Sequence, residues 1–284
     1  MFGLFAVLLW STVASAFKLS LRYYNPSQLL LYASFTSFSV LCLIIVIQKK
    51  VSLVFSYTFK EYSALAFLGL INPFLYYLVL FKAYALLPAQ EAQPLNYTWA
   101  LTLSYLSVII LGHKLHVKDI MAGFLCYIGV MIISTHGDLV HFSFTNLEGV
   151  LLALFSTLLW SLYWLFSTRL SVDPVIGLCL NFAVAIPFIF GWTLIFSDPF
   201  IFNVYGFLGS VYVGTFEMGC TFVLWLSAMK YSTHASQTAN LIFISPFISL
   251  CLISLILGET ILMSTFIGLV LIILGLMIQK SLKV

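Results

Sequence analysis

The sequence Leu8-Leu9-Trp10-Ser11 recurs as Leu158-Leu159-Trp160-Ser161, near the start of each half of the 284-residue chain. Two further matches follow in the same order. A proline turn precedes a long apolar run at Asn25-Pro26 and at Asp173-Pro174, and Leu-Gly precedes polar residues at Leu111-Gly112 and at Leu257-Gly258. Three matches in one order indicate that an ancestral unit was duplicated.

The composition predicts that this chain lies in a lipid bilayer. Hydrophobic residues make up 62% of the sequence and charged residues 7%, whereas a soluble globular protein has about 25% charged residues. Such a chain has too few charges to cover a water-exposed surface, so lipid must be the solvent for most of it. The net charge of +3 is too small to predict a nucleic-acid partner.

Apolar runs divide the chain into ten predicted transmembrane helices, each near the length of about 20 residues that spans a bilayer. They lie at roughly 2–18, 27–47, 62–82, 88–111, 118–135, 147–167, 174–196, 204–229, 234–257 and 261–279. The first run ends in Ala14-Ser15-Ala16, like a signal-peptidase site, but no basic residue precedes it and the second half repeats it, so we expect a membrane helix. The predicted fold is an all-α polytopic membrane protein with one five-helix repeat in 1–136, a connecting loop in 137–146 and a second repeat in 147–284.

An odd number of helices in each repeat determines how the two halves are related. After five spans the chain is on the other side of the membrane, so the second half must be inverted relative to the first. Inverted repeats are typical of secondary transporters, whose substrate site lies near the midplane between the repeats. We therefore expect two inverted five-helix repeats around a central cavity.

The distribution of basic residues predicts the orientation. The segments on the side of the N-terminus contain Lys49, Lys50, Lys60, Lys114, Lys118, Arg169, Lys230, Lys280 and Lys283, and those on the other side contain Lys18, Arg22 and Lys82. Basic residues accumulate on the cytoplasmic side of membrane proteins. Both termini are therefore predicted to be cytoplasmic. The absence of a targeting extension is compatible with a bacterial inner membrane, which is the expected location.

Glu217, near the middle of the eighth predicted span, is the first candidate site residue. A carboxylate at the centre of a span costs about 2.5 kcal/mol or more on insertion scales, so it must face the protein interior or a wet cavity. It is predicted to bind substrate or a proton. The alternative is a structural carboxyl group that bonds to a neighbouring helix.

The fourth span is the most polar, and contributes Glu91, Gln93, Asn96, Tyr97 and Trp99. Gln93, Asn96 and Tyr97 are three and four residues apart and so share one side of a helix. This stripe predicts a cavity lining, although a hydrogen-bonded seam between helices would use the same residue types. Glu91 is a second candidate for binding an ammonium group or a proton.

The third span contains Asn72-Pro73 near its middle, followed by Tyr76. A proline inside a helix frees a carbonyl group in the preceding turn, which either exposes backbone to a substrate or only bends the helix. We include Asn72 and Tyr76 among the predicted site residues, together with Trp225 as a further aromatic wall for a cationic or planar solute.

Features typical of enzymes and metalloproteins are missing from the sequence. It contains no Walker loop, Gly-x-Ser-x-Gly, His-Glu-x-x-His or Cys-x-x-Cys motif, so neither catalysis nor a cofactor is predicted. His136, Asp138 and His141 resemble metal ligands in their spacing, but they lie in the longest loop without a fourth ligand and are predicted to form a solvated turn.

The chain resembles the EamA family of the drug/metabolite transporter superfamily over nearly its whole length. The resemblance rests on Leu9-Trp10-Ser11-Thr12, the Glu91 to Trp99 run, Trp160-Ser161, Phe216-Glu217-Met218-Gly219 and Ser245-Pro246. The Glu91 to Trp99 run is also similar to that of bacterial aromatic amino acid exporters, which usually have proline where this chain has Ala100. The resemblance implies a central cavity lined by spans 1, 3, 4, 6, 8 and 9.

The expected function is secondary transport of a small solute by alternating access, as an exporter of amino acids or related metabolites, with protons as a further partner. An importer or exchanger of an anionic or nucleotide-linked metabolite is the alternative, and it would require basic residues such as Lys82 and Lys230 in the cavity. An intramembrane enzyme or a sensor is disfavoured because catalytic motifs and a soluble output domain are missing. The sequence does not predict the oligomeric state.

Overall fold

The computed structural model describes residues 2–112, 116–138, 140–141, 143–225 and 241–280, and all regular structure in these ranges is helical. Within these ranges, ten long helices follow one another: α1 Phe2–Ser20, α2 Pro26–Ile47, α3 Phe59–Leu86, α4 Ala89–Leu111, α5 Val117–Ser134, α6 Leu147–Ser167, α7 Pro174–Phe196, α8 Val204–Trp225, α9 Ile242–Leu257 and α10 Met263–Lys280. A short 3₁₀ helix, Val51–Phe55, lies between α2 and α3. The predicted polytopic fold is confirmed. The described residues do not include Lys114, Lys230, Lys283 or the predicted start of the ninth span.

Seven of these helices are long and apolar enough to cross a membrane by length and composition, and α5, α9 and α10 contain shorter apolar helices. Where the structure describes a short connection, the two helices that it joins run antiparallel. The α1–α2, α3–α4, α5–α6 and α7–α8 connections therefore lie at one face of the bundle, which we call the opposite face, and the α9–α10 connection lies there too because it bonds to the start of α4. The face at which α1 begins is the N-terminal face.

The two halves pack against each other in matching pairs. Helix α2 packs on α7 and α5 on α10, so each of these helices contacts its own counterpart. Helix α1 packs on α8 and α9, and its counterpart α6 packs on α3 and α4 in the same way. Each contact between the halves therefore has an equivalent contact in which the two halves have changed roles. A two-fold axis between inverted repeats produces this pattern.

The repeated sequence motifs perform the same structural task in both halves. Asn25 and Asp173 stand before α2 and α7, and each caps the first turn of its helix. The Asn25 side chain accepts a hydrogen bond from one backbone N–H group and the Asp173 side chain from two. Gly112 and Gly258 follow α4 and α9 in the left-handed conformation, with φ of 69° and 71°, which favours glycine. Two of the three matches that indicated duplication are thus helix start and stop signals.

Helices α3 and α8, which are counterparts, are both irregular near their middle. In α3 the segment Leu70–Leu75 is π-helical and Asn72 leaves the helical conformation, with φ of −142° and ψ of 118°. In α8 the segment Val213–Cys220 is π-helical. Irregular turns of this kind often occur at functional sites in membrane helices.

Glycines let the irregular segments approach the other half closely. A methyl group on Gly69, just before the α3 segment, would lie 2.6 Å from the carbonyl oxygen of Asn181 in α7. A methyl group on Gly214 in α8 would collide with the carbonyl oxygen of Ala33 in α2. Each half therefore uses one glycine to bring its irregular helix against the backbone of the counterpart half.

We predict that Gly69→Ala lowers the thermal unfolding midpoint of the detergent-purified protein. The added methyl group must push against backbone atoms of α7, and overpacking of this kind costs about 1–3 kcal/mol. Gly191→Ala is the matched control, because a methyl group there has no heavy atom within 4 Å outside its own helix. The close approach is refuted if the two variants unfold at the same midpoint.

Candidate functional site

A cavity of about 410 Å³ lies between the two halves, near the middle of the bundle. Helices α1, α3, α4, α6, α8 and α9 line it, as the family resemblance implies. Its polar and aromatic lining comprises Trp10, Phe17, Tyr76, Tyr84, Gln93, Asn96, Tyr97, Trp99, Trp160, Trp164, Glu217, Trp225 and Phe243. The volume falls in the range of roughly 300–1,000 Å³ that is typical of small-molecule sites.

Glu217 provides the carboxyl group of this cavity, from the irregular segment of α8. Its exposed fraction is 9%. The buried hydroxyl group of Tyr77 in α3 donates a hydrogen bond to Oε1 at 3.2 Å, and the Trp10 side chain lies beside the same carboxyl group. The other oxygen, Oε2, is buried and has no hydrogen-bond partner among the described residues, so its capacity to accept a hydrogen bond is unused.

The predicted polar stripe of α4 lies on the cavity wall. Gln93 is buried and its Oε1 has no hydrogen-bond partner among the described residues. Asn96 Nδ2 donates to Ser156 Oγ in α6 at 2.9 Å, and Tyr97 hydrogen-bonds to Ser245 in α9. Both predicted roles of the stripe are therefore present. All three side chains line the cavity, and two of them also form hydrogen bonds between helices.

Aromatic rings form most of the remaining wall. The rings of Trp10 and Trp225 are 5.3 Å apart between centroids, and those of Tyr76 and Trp160 are 4.6 Å apart. Trp160 also contacts Trp99 edge to face, with centroids at 6.4 Å. Faces and edges of aromatic rings attract planar and cationic groups.

The structure brings most of the predicted site residues together and leaves two elsewhere. Those that line the cavity are Glu217, Gln93, Asn96, Tyr97, Trp99, Tyr76 and Trp225. Glu91 and Asn72 do not line it, and each has a local explanation.

Glu91 lies near the opposite face, on the far side of α4 from the cavity. Its side chain is 1% exposed, and its Oε1 lies 2.9 Å from His136 Nε2 and accepts a hydrogen bond from Thr145 Oγ1 at 2.9 Å. Residues two positions apart on a helix are separated by about 200°. Glu91 and Gln93 therefore cannot face the same space, and the placement of Glu91 in the cavity is corrected.

Asn72 is buried beside Tyr163 of α6, to which it hydrogen-bonds. The backbone leaves the helical conformation at this residue, so helical periodicity does not predict which way its side chain points. Tyr76, one turn later in regular helix, does face the cavity. The bend in α3 thus shapes the site without placing Asn72 in it.

Sequence reasoning missed several residues of the site, among them Trp10 and Trp160, which line the cavity, and Tyr77, which bonds to Glu217. The repeated Leu-Leu-Trp-Ser motif contains the first two, and both tryptophans face the boundary between the halves. An inverted repeat places equivalent residues around one axis, so the repetition itself was a signal for them. Nothing in the sequence connects Tyr77 with Glu217, 140 residues further along.

The side chains of His136, Asp138 and His141 do not meet at one point where a metal ion could bind. His136 turns to Glu91, whereas Asp138 accepts hydrogen bonds from the backbone and ring of His141. These bonds hold the pKa of the Asp138 carboxyl below its usual value. In the described part of the chain, no group of three or more His, Cys, Asp or Glu side chains is arranged to hold a metal ion.

A second cavity, of about 420 Å³, adjoins the central one and shares Ala100, Leu103, Trp164 and Phe243 with it. It continues along α4, α6 and α10 to Ser107, Thr168 and Gln279. These residues lie near the ends of their helices at the N-terminal face. The space that contains Glu217 therefore extends toward the N-terminal face.

Comparisons with known proteins agree with this architecture. A crystal structure of a protein without further description shares 22% sequence identity and a TM-score of 0.68, and the match covers 99% of this chain and 96% of that one. At this identity the likeness shows the fold alone. No curated protein matches the sequence. The profile of the EamA-like transporter family matches residues 1–135 and 147–279, and the chain therefore belongs to the EamA-like transporter family.

Proposed function

We propose that this protein is a secondary carrier that exports amino acids or related amine-bearing metabolites by alternating access. The observation that supports it best is the cavity between the halves, in which one carboxyl group with a free oxygen lies among aromatic rings. In such carriers a solute binds near the midplane and the repeats rock around it. The moving units would be residues 1–136 and 147–284, joined by the loop 137–146.

The charges around the cavity favour an amine over an anion. Glu217 lines it, and none of its described lining residues is Lys or Arg. A buried anion needs cationic or strongly donating partners. Lys82, which the anionic alternative would need, has an exposed side chain and does not line the cavity; Lys230 lies outside the described residues.

Each lining group has a role in this proposal. Glu217 accepts a hydrogen bond from the ammonium group of the solute, or carries a proton when the solute is absent. Gln93, Asn96 and Tyr97 bond to its polar groups, and Trp99, Tyr76 and Trp225 pack against its apolar or planar part. The solute thus exchanges contacts with water for contacts of the same kind in the protein.

The basic residues support an orientation for this carrier. The excess of Lys and Arg on the side of the N-terminus favours cytoplasmic termini, and the proposed location is a bacterial inner membrane. The N-terminal face, toward which the second cavity extends, would then be the cytoplasmic one. An exporter takes up its cargo from that side.

A ligand screen tests the class of solute directly. Ligands that bind the folded protein raise its unfolding temperature, so the purified protein is heated with amino acids, polyamines, organic cations, nucleotides and other phosphorylated compounds. Stabilisation by amines or amino acids supports the proposal. Stabilisation by phosphorylated compounds alone favours the anionic alternative.

We predict that Glu217→Gln lowers transport of an amine-bearing solute about tenfold or more, because it replaces a charge-assisted hydrogen bond by a neutral one. The measurement is uptake into proteoliposomes, with the thermal shift as a binding assay. Glu148→Gln is the matched control, since Glu148 is exposed at the start of α6. Full transport and an undiminished thermal shift in Glu217→Gln would remove this carboxyl group from the site.

We predict that Tyr77→Phe weakens solute binding several-fold while leaving the protein folded. Tyr77 does not line the cavity, but its hydroxyl group orients Glu217, and a hydrogen bond to a charged group contributes about 1.5–3 kcal/mol. Binding constants from titration calorimetry measure the effect.

Tyr62→Phe is the control for this experiment. It removes a hydroxyl group from the same helix, one that bonds to the carbonyl oxygen of Val54 near the N-terminal face. A purely structural role for Tyr77 would lower the unfolding midpoint and leave the affinity of the remaining folded protein unchanged.

A further inference from the structure

The turn that follows α9 reaches across to the start of α4 in the other half. Gly258 ends α9, and the next residue, Glu259, accepts hydrogen bonds from the backbone N–H groups of Ala89 and Gln90 at 2.9 and 3.2 Å. The first N–H groups of a helix have no partner within it and attract negative charge. Glu259 therefore caps a helix that belongs to the first repeat.

Helix α4 has no side-chain cap of its own. Its N-cap residue is Pro88, whose side chain has no acceptor atom and makes no capping hydrogen bond. The helices α2, α3, α6 and α7 are instead capped by the residue directly before them, Asn25, Thr58, Asn146 and Asp173. The start of α4 thus depends on a carboxylate from the second repeat.

Gln90 strengthens the same connection with its side chain. Its Nε2 donates to the carbonyl oxygen of Thr260 at 2.9 Å, and its Oε1 accepts from Leu262 N at 2.9 Å and from Thr265 Oγ1 at 3.2 Å. Gln90 is buried, and both ends of its amide group are bonded. All of these partners belong to the second repeat.

The adjoining end of α3 is held by Lys18 of α1. Its Nζ donates to the carbonyl oxygens of Tyr84 and Leu87 at 2.8 and 2.9 Å, where the C-terminus of a helix attracts positive charge. Lys18 is also close enough to Glu259 for an electrostatic attraction. Lys18, a basic residue on the side of the membrane away from the termini, thus binds the end of a helix.

These contacts lie at the end of the central cavity that is nearer the opposite face. Phe17 and Tyr84 line the cavity and are respectively the neighbour and a partner of Lys18. Gln93, on the cavity wall, is one helical turn from Gln90. A separation of Glu259 and Gln90 from their partners would open a path from the cavity to the opposite face.

We propose that Glu259 and Gln90 form a latch that closes the cavity at the opposite face and must release for the solute to leave there. The inference rests on the proposed function, since a gate has meaning only in a carrier that opens alternately. The latch joins one repeat to the other, so its release allows the repeats to rock. Weakening it shifts the protein toward the state that is open at the opposite face.

The test measures access to the cavity and needs no solute. Ala14, which is buried on the cavity wall, is replaced by Cys, and a membrane-impermeant thiol reagent is added to right-side-out and to inside-out vesicles. Labelling of residue 14 is followed by mass spectrometry, separately from the five native cysteines. Glu259→Ala is expected to raise the labelling rate several-fold in the vesicles that expose the opposite face.

Glu61→Ala is the matched control for the loss of a capping carboxylate. Glu61 bonds to Thr58 within its own half, at the start of α3, so its removal should leave the labelling of residue 14 unchanged. Gln90→Leu provides a second latch variant, which keeps the size of the side chain and removes its bonds to Thr260, Leu262 and Thr265. It should act in the same direction as Glu259→Ala.

Two results would overturn the latch. One is unchanged labelling in both latch variants, and the other is an equal rise in both vesicle orientations, which indicates general loosening. Neither result bears on transport itself, which the Glu217→Gln assay tests. Conversely, a failure of every candidate solute to bind would overturn the proposed function and leave the measured effect on access in place.

Discussion

Hydrocarbon offers no hydrogen bonds, so each backbone group of a membrane protein must find its partner within the protein or at a wet cavity. Most of the described chain meets the requirement by regular helix, and the irregular segments of α3 and α8 lie where other helices cover them. The irregular segment of α3 packs against α6 and α7, and that of α8 packs against α2 and α1. Both of these segments lie where the two halves meet, next to the candidate site. Glu217 belongs to one of these interruptions.

Duplication gives the protein a symmetric frame, and the site within it is asymmetric. The tryptophans of the repeated motif, Trp10 and Trp160, both line the cavity. The irregular segment of α8 supplies a carboxyl group to the cavity, whereas that of α3 holds Asn72 away from it beside Tyr163. The two repeats have therefore kept the same architecture, and only one of them supplies the carboxyl group of this site. That group interacts with side chains of the other repeat.

Local rules account for what the sequence predicted. The ten apolar runs, the helix start signals at Asn25 and Asp173, and the stripe of Gln93, Asn96 and Tyr97 each depend on residues within a few positions of one another. The errors have equally physical causes: Glu91 is on the other side of its helix from Gln93, and Asn72 lies where the helix is broken. The bonds of Tyr77 to Glu217 and of Glu259 to Ala89 join residues far apart in sequence. Helical periodicity relates only residues a few positions apart, so it does not predict such pairs. The three-dimensional structure is needed to show them.

The hydrogen bond from Tyr77 to Glu217 connects a helix of the first repeat to a helix of the second. A proton or an ammonium group that binds to this carboxylate changes how strongly it accepts the bond from Tyr77. Thermodynamic linkage then requires the reverse effect, in which any movement of the repeats that lengthens this bond changes the affinity of Glu217 for its ligand by the same free energy. Ligand binding at Glu217 and the relative position of the two repeats thus depend on each other through the oxygen atom that accepts the bond from Tyr77. In the proposed carrier, one buried tyrosine hydroxyl group would therefore couple the binding of cargo to the relative position of the two repeats.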